Sequence, residues 1–194
     1  ELYLTLFDEG YDIDFVGSLI GPIGIPNDFD KDHEGHSGFT SSQIAANVYA
    51  YLTANPADII LLHIGTNDIG EIGYDQDQST ANVAAILDAI DDYEVDFATP
   101  IWVLLARIIN RNCITENPPC IDSEKTTDFN DSVEIMAQDR IFLLGDEIRI
   151  VDMEEGVSIF GPIDYRLHTL TPLGDMSDNL HPFDTGFEKM ADLW

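Results

Sequence analysis

The sequence contains 194 residues, 44% of them hydrophobic, which is enough for one domain with a single buried core over residues 1–194. Its 37 acidic and 8 basic residues give a formal net charge of -29, and this charge repels nucleic acids and anionic membranes. No apolar run approaches the roughly 20 residues of a membrane span. We therefore expect a secreted protein with an acidic surface, no nucleic-acid partner and no membrane span, and the composition leaves its oligomeric state open.

Apolar runs and helical patterns alternate along the chain. The apolar runs predict buried strands near residues 12–17, 58–64, 101–108 and 148–153. Helical spacing predicts helices around 44–52 and 83–90, another over 126–140, and a last one at the C-terminal end. This alternation indicates an α/β fold, in which a parallel sheet carries helices on both faces.

Two of these helices carry signals for their first residues. Ser79 or Thr80 is expected to cap the helix around 83–90, and a capping box of Thr185 and Glu188 is expected to start the last helix. The apolar stripe of the last helix should consist of Phe187, Met190, Ala191 and Trp194. Apolar helical patterns also occupy both ends of the sequence, so we expect the chain to be truncated at each end.

The segment GTND, residues 65–68, directly follows the predicted strand at 58–64. Side chains at the carboxyl ends of parallel strands lie at the edge where open α/β sheets bind ligands. The amide of Asn67 is suited to donate a hydrogen bond to a developing oxyanion. Asn and Asp after a strand are also common turn formers, so these four residues alone leave both interpretations open.

The segment DNLHP, residues 178–182, places Asp178 three residues before His181. A carboxylate at this spacing can accept the Nδ1–H of the imidazole and leave Nε2 free as a general base. Pro182 favours an extended conformation for His181, so we expect the ring on a loop before the final helix. An ordinary helix-capping loop with an exposed histidine explains the same residues equally well.

The segment GHSGFTS, residues 35–41, precedes a predicted helix. Gly38 there would allow a backbone N–H to approach a ligand closely, and a helix start favours negative charge. The alternative is an ordinary glycine loop.

Together, these segments resemble the SGNH branch of the GDSL hydrolases over nearly the whole chain. YDIDFVGS resembles the second strand of that family, GHSGFTS its glycine block, HIGTND its asparagine block, and DNLHPFDTGFEKMADLW its Asp-x-x-His block. The resemblance implies a flavodoxin-like three-layer α/β/α sandwich with a central parallel sheet. It also implies a serine ester hydrolase that needs neither metal nor organic cofactor. Its substrate would be a small-molecule or polysaccharide ester, with carbohydrate O-deacetylation as one form of the reaction.

Carried over residue by residue, the resemblance makes Gly38 and Asn67 oxyanion-hole donors, His181 the general base and Asp178 its orienting acid. The Gly-Asp-Ser block that carries the nucleophile on the family's first strand has no counterpart here, and Ser18 is not a replacement. We therefore expect the first strand to be missing and these 194 residues to be inactive or nearly so. A non-catalytic binding or assembly module on the same fold is the alternative, and a calcium-dependent surface protein is a third interpretation suggested by charge alone.

An acidic segment with two histidines, His33 and His36, raises the question of a metal site. Its alternating carboxylates do not match an EF-hand, so a solvated acidic loop is favoured over a calcium site or a substrate-contacting rim. The carboxylates concerned are Asp28, Asp30, Asp32 and Glu34.

The remaining candidates have structural explanations that are at least as good as functional ones. His63 is interpreted as a hydrogen-bonded core histidine, and Arg107 and Arg111 as partners of surface carboxylates, with the binding of an acidic substrate group as the alternative. His168 lies in a long stretch that is either a lid or a simple connection. The last two candidates are Cys113 and Cys120, for which a disulfide is favoured over two free thiols.

Overall fold

A computed structural model describes residues 2–21, 30–111, 121–154, 157–158, 161–162, 175–178 and 180–194. Its helices are α1 (Leu2–Asp8), α2 (Ser41–Ala45), α3 (Val48–Ala54), α4 (Thr66–Gly70), α5 (Gln76–Phe97), α6 (Ile121–Leu143) and α7 (Asp184–Leu193). Its strands are β1 (Leu19–Ile20), β2 (Asp32–His33), β3 (Ile59–Leu62), β4 (Trp102–Arg107), β5 (Ile148–Asp152), β6 (Val157–Ser158) and β7 (Gly161–Pro162). The predicted Cys113–Cys120 disulfide, His168 and Asp28 lie outside the described residues.

The main sheet consists of three parallel strands in the order β3-β4-β5. Ile59 pairs with Trp102 across β3 and β4, and Val103 pairs with Ile148 across β4 and β5. Helices α5 and α6 are the two crossovers that parallel pairing requires. The predicted α/β class is confirmed, as are the strands expected near 58–64, 101–108 and 148–153.

The strand predicted at 12–17 is wrong. Residues 11–17 form no regular strand, and the segment pairs only afterwards, where the two residues of β1 meet β2 in antiparallel orientation. A β-strand is stabilised by hydrogen bonds to a neighbouring strand. In the described part of the chain, no strand lies beside residues 12–17, so their apolar pattern does not lead to a strand.

The two faces of the sheet are covered by different helices. Successive residues of a strand point to opposite faces, so Leu105 and Ala106 of β4 belong to different layers. Leu105 packs in the larger apolar cluster, with buried side chains of α5 and α6 such as Ile86 and Phe129. Ala106 packs in a smaller cluster with Met190 and other residues of α7. Helices therefore flank the parallel sheet on both faces.

Helix boundaries differ from the predictions, because other nearby residues cap or interrupt the helices. The helix around 83–90 begins earlier than expected, at Gln76, and its cap is Asp75, whose carboxylate accepts the N–H of Gln78 at 3.0 Å. Ser79 lies buried inside the helix. Further upstream, the single pattern over 44–52 is divided into α2 and α3 by a turn at 46–47.

The last helix departs from its predicted capping box as well. It begins at Asp184 rather than Thr185, and its N-cap residue, Phe183, makes no side-chain cap hydrogen bond. Instead, the carbonyl of Phe183 accepts the N–H groups of residues 186 and 187. The predicted stripe is confirmed for the three residues at 190, 191 and 194, whereas Phe187 is half exposed. Among the described residues, no helix is both long and apolar enough to cross a bilayer.

Gly65, between β3 and α4, provides a test of the packing. Its φ is +119°, and an added Cβ would lie 2.3 Å from the Phe129 ring. We expect Gly65→Ala to lower the free energy of unfolding by about 2–4 kcal/mol, because steric overlap adds to backbone strain. Chemical denaturation measures the loss.

Gly73→Ala is the matched control, because Gly73 also has a positive φ, +86°, but an added Cβ there meets nothing within 4 Å. Gly73→Ala should lower the free energy of unfolding by about 1 kcal/mol, because it adds backbone strain but no steric overlap. Equal losses in the two variants would contradict the role assigned to the Phe129 contact.

Candidate active site

The predicted asparagine block forms the connection between β3 and α4 at the carboxyl edge of the sheet. Gly65 adopts a left-handed conformation that ends the strand run, and its lack of a side chain lets the backbone touch Phe129 of α6. Helix α4 begins at the next residue, Thr66. This tight junction places Asn67 in the first turn of a short helix at the sheet edge.

Asn67 is joined to the predicted glycine block by a hydrogen bond. Its Nδ2 donates to the carbonyl oxygen of Phe39 at 2.8 Å. A primary amide has two N–H groups, so this bond orients the side chain and leaves the second N–H for another acceptor. Gly38 precedes Phe39, has a φ of +79°, and donates its N–H to no residue in the described ranges. Two predicted oxyanion donors therefore belong to one local structure.

Asp68 holds the same two blocks together, and the sequence analysis missed this role. Its buried carboxylate accepts the N–H of Ser41 at 2.9 Å and the Ser41 hydroxyl. The Ser41 N–H is one of the amides at the start of α2 that have no partner within that helix. An acidic side chain beside a helix start is the general signal that could have suggested the contact.

The predicted Asp178–His181 pair is formed. The Asp178 Oδ2 lies 2.8 Å from Nδ1 of His181, and its Oδ1 accepts the N–H groups of Leu180 and His181, each at 2.7 Å. One carboxylate thus shapes the turn and orients the imidazole, whose Nε2 is left for chemistry. The hydrogen bond from His181, helped by these backbone donors, lowers the pKa of Asp178 to about 2.

The loop that carries His181 is closed at both ends. Met176 forms a β-bridge with Pro182, and the carbonyl of Asp175 accepts the N–H of Phe183 at 2.7 Å. Gly186 of α7 packs so closely beneath the loop that a Cβ would lie 2.6 Å from the Asp175 carbonyl. The His181 side chain is well exposed, yet the backbone that supports it is fixed at both ends.

The histidine loop and the asparagine block meet at one recess. Leu180, which precedes His181, lines a narrow recess together with Thr66, which precedes Asn67. Asn110 and Arg111, just beyond the carboxyl end of β4, line the same recess. The structure therefore brings the predicted blocks to one edge of the sheet from segments more than a hundred residues apart in the sequence.

Arg107 and Arg111 have different roles in the support of this edge. Arg107 forms ion pairs with four carboxylates, which confirms the predicted pairing; they belong to Asp131, Glu134, Asp152 and Glu154. Arg111 also supports the α4 start, because its Nη2 donates to the carbonyl of Thr66 at 2.6 Å.

Glu154 is a buried carboxylate that the sequence analysis did not single out. It is almost fully buried and accepts hydrogen bonds from Asn110 at 2.8 Å and Asn130 at 3.0 Å, in addition to Arg107. Asn130 also bonds both backbone polar groups of Ile108 at 2.9 Å. This network fixes the segment after β4, from which Arg111 reaches the asparagine block.

Comparison with protein families agrees with this arrangement. The family described as GDSL-like lipase/acylhydrolase matches residues 30–194. The chain belongs to this family. The match includes Gly38, Asn67, Asp178 and His181. Comparison with curated protein sequences gave no match.

Solved structures with the same fold include three esterases. An acetyl esterase, solved as a serine-to-alanine mutant with acetate ion, has a TM-score of 0.76 and 21% identity, over 99% of this chain and 84% of that chain. A carbohydrate esterase of family 3 from Talaromyces cellulolyticus has a TM-score of 0.74 and 21% identity, over 98% and 83%. A family 3 carbohydrate esterase from Clostridium thermocellum has a TM-score of 0.69 and 26% identity, over 100% and 81%.

Within the described residues, no serine hydroxyl is hydrogen-bonded to the His181 ring. Ser18 donates its hydroxyl to Glu34 at 2.8 Å, and Ser177 donates its hydroxyl to the carbonyl of His181 at 2.9 Å. The exclusion of Ser18 as a nucleophile agrees with its contact to an acid rather than to a base.

The acidic segment with two histidines is bonded within the protein rather than simply solvated. Glu34 accepts from Ser18 and lies 2.6 Å from Nε2 of His36, whose ring stacks on Phe39 and Tyr51 with centroids 4.8 Å away in each case. No group of three or more His, Cys, Asp or Glu side chains within the described ranges could hold a metal ion. These contacts stiffen the loop that leads to Gly38.

His63 is a partly buried histidine, and its ring is hydrogen-bonded only in part. Burial lowers its pKa to about 4, and a hydrogen bond to its own backbone opposes that shift. Its Nε2 is buried without a hydrogen-bond partner among the residues described. His63 is therefore neutral at ordinary pH.

The Asp178–His181 contact can be tested through the titration of the carboxylate. We expect the pKa of Asp178, about 2 in the native chain, to rise toward the ordinary value of 3.8 in His181→Ala, because the imidazole is the largest cause of the lowering. The two backbone donors remain and should keep it below that value. Carbon-13 NMR of the Asp178 carboxyl carbon measures this pKa in the native chain and in the variant. An unchanged titration midpoint in the variant would disprove the ring contact.

His63 should make stability depend on pH. Its pKa is about 4 in the folded chain against an ordinary 6.5, so the unfolded chain binds more protons between these values. The free energy of unfolding should therefore fall as pH decreases from about 6.5 to about 4, by on the order of 2–3 kcal/mol from this residue. Denaturation of native and His63→Gln proteins isolates the contribution, and parallel pH profiles would contradict it.

Proposed function

We propose that the chain carries the general base, the orienting acid and two oxyanion donors of a serine ester hydrolase, and that its substrates are acetyl esters of carbohydrates. The observation that carries the proposal is the Asp178–His181 pair, whose Nδ1 contact of 2.8 Å leaves Nε2 available, on a loop whose Leu180 lines one recess with Thr66. Membership in the lipase/acylhydrolase family supports acyl transfer as the reaction class.

His181 moves the proton in both halves of the reaction. A serine Oγ attacks the acetyl carbonyl carbon while Nε2 of His181 accepts the hydroxyl proton. The tetrahedral intermediate collapses, the ester C–O bond breaks, and His181 returns the proton to the departing sugar hydroxyl. A water molecule then attacks the acetyl-serine, with His181 again as base, and acetic acid leaves. Asp178 stays ionised throughout and stabilises the imidazolium, which agrees with its pKa of about 2.

Gly38 and Asn67 are proposed to bind the negative oxygen of the intermediate. The Gly38 N–H has no acceptor among the described residues, and the Asn67 amide has a second N–H beyond the one bonded to Phe39. Donors whose direction is fixed before the reaction stabilise charge without a reorganisation cost. The Asp68 contact to Ser41 keeps the two blocks at constant separation.

We propose that the nucleophile comes from a strand that adds to the free edge of β3. Within the described sheet, β3 pairs with β4 alone, and its other edge presents unpaired backbone groups. The side chains of Ile59 and Leu61 on β3 are largely exposed. A parallel strand at this edge would end beside residues 63–67, next to Asn67, where the mechanism requires the serine.

The substrate class is supported by the comparisons rather than by one residue of the chain. The family 3 carbohydrate esterase from Clostridium thermocellum, 26% identical over the full length of this chain, and the acetyl esterase with acetate ion both resemble the chain in fold. Acetylated carbohydrate is therefore the substrate class that we would assay first.

The role of Asn67 is tested in a chain extended before residue 1 by a strand with a Gly-Asp-Ser segment. In that form, Asn67→Ala should lower kcat for an acetyl ester by on the order of 10²-fold, because one oxyanion donor is lost. Asn47→Ala is the matched control, since its amide bonds only to a backbone carbonyl of α2 and should leave kcat unchanged. Unchanged turnover in Asn67→Ala would remove Asn67 from the mechanism.

Assays of the unextended chain and of His181→Ala in the extended chain test the proposal as a whole. Residues 1–194 alone are expected to hydrolyse the ester poorly or not at all, and His181→Ala should abolish turnover by the extended chain. An extended, folded chain without turnover would favour the non-catalytic module. Turnover that survives in His181→Ala would exclude His181 as the base.

A further inference from the structure

An open groove of about 570 Å³ lies at the amino edge of the sheet, opposite the candidate active site. It is formed by the last turn of α5, the residues that precede β4 and the connection between α6 and β5. Val95 and Leu144 provide its apolar lining, and four carboxylates share the lining with them; these belong to Asp91, Glu94, Asp146 and Glu147. The mechanism proposed above uses none of these residues.

The apolar lining of the groove is exposed to solvent. Val95 is 81% exposed and Leu144 66% exposed, and the residues before Leu144 are equally uncovered, with Phe142 at 86% and Leu143 at 70%. Exposed side chains of this size in consecutive positions are rare on a surface that contacts only water. The groove therefore has an apolar lining that is open to solvent.

Negative charge is in surplus at the same place. Arg140 is bonded to Asp88, Asp91 and Asp146 at 2.5, 2.5 and 2.6 Å, so one guanidinium serves three carboxylates. Burial, together with the neighbouring Asp146, raises the pKa of Asp91 to about 6 despite that ion pair. The C-terminal end of α5 adds the partial negative charge of the helix dipole, and no basic residue in its last turn offsets that charge.

We propose that this groove docks a basic segment of another protein, one that combines Lys or Arg side chains with apolar ones. The apolar lining fits the aliphatic side chains, and the surplus carboxylates complement the cations. A second copy of the chain is a poor occupant, because its own net charge of -29 would add repulsion. Anionic polymers and membranes are disfavoured for the same reason, and a small cation would leave the apolar lining of Val95 and Leu144 uncovered.

Binding is tested by fluorescence anisotropy with a labelled peptide in which Lys, Leu and Gly alternate. The full chain should bind this peptide, and the affinity should fall as salt is added. Replacement of the Lys residues by Glu, or of the Leu residues by Ser, should abolish binding, since the groove requires both properties. Absence of binding by the Lys-Leu peptide, or equal binding of the Glu peptide, would overturn the proposal.

Matched variants locate the binding on the chain. Glu147→Lys and Leu144→Ser, which alter exposed residues of the groove, should each weaken binding about threefold to tenfold. Asp192→Lys makes the same charge change on α7, and Ile72→Ser removes a fully exposed apolar side chain elsewhere; both should leave the affinity unchanged. Equal weakening by groove and control variants would mean diffuse attraction to the acidic surface and overturn the proposal.

A second copy of the chain as the occupant is tested by sedimentation. The native chain should remain monomeric over the concentrations used in the peptide assay. A concentration-dependent dimer that Leu144→Ser abolishes would identify the second copy as the occupant and contradict the proposal.

Discussion

The excess of carboxylates over cations is the constraint on which the rest of the structure depends. With 37 acidic and 8 basic residues, most carboxylates have no cation within the chain to pair with. The two best-placed arginines are therefore shared: Arg107 serves four carboxylates and Arg140 three. Each of them joins helices to the strand ends of the sheet. Burial of a carboxylate such as Glu154 is tolerated because several donors converge on it.

Carboxylates without a cationic partner accept hydrogen bonds from backbone N–H groups instead. Two such carboxylates shape the candidate site. Asp68 accepts the N–H of Ser41 and so attaches the glycine block to the asparagine block. Asp178 accepts two N–H groups of its own turn and so directs its remaining oxygen to His181. The same carboxylates that would repel one another on a surface thus position the histidine that we propose as general base and the two groups that we propose as oxyanion donors.

Parallel pairing gives the sheet two distinct edges, each with its own set of side chains. Loops after β3 and β4 and the turn before α7 meet at the carboxyl edge, where Asn67, Arg111 and His181 lie. The C-terminal ends of α5 and α6 meet at the amino edge, where acidic and apolar side chains share one groove. Because the sheet lies between them, the interaction proposed at one edge need not disturb the chemistry proposed at the other.

The sequence by itself determined the features that depend on a few neighbouring residues. The apolar runs that became β3, β4 and β5, the order of the glycine, asparagine and Asp-x-x-His blocks, and the short-range contact from Asp178 to His181 all follow from local pattern and spacing. Family membership could be recognised from the same segments, since the blocks keep their order along the chain.

Tertiary structure decided what depends on partners distant in the sequence. The segment at 12–17 has the pattern of a strand but no neighbouring strand within the described residues, and Asp75, rather than Ser79 or Thr80, became the cap of α5. Arg111 donates to the carbonyl of Thr66, a residue 45 positions away in the sequence. Which acceptor a donor takes is determined by distance and burial after folding, and a sequence with 37 carboxylates and many carbonyls to choose from carries no signal for that choice.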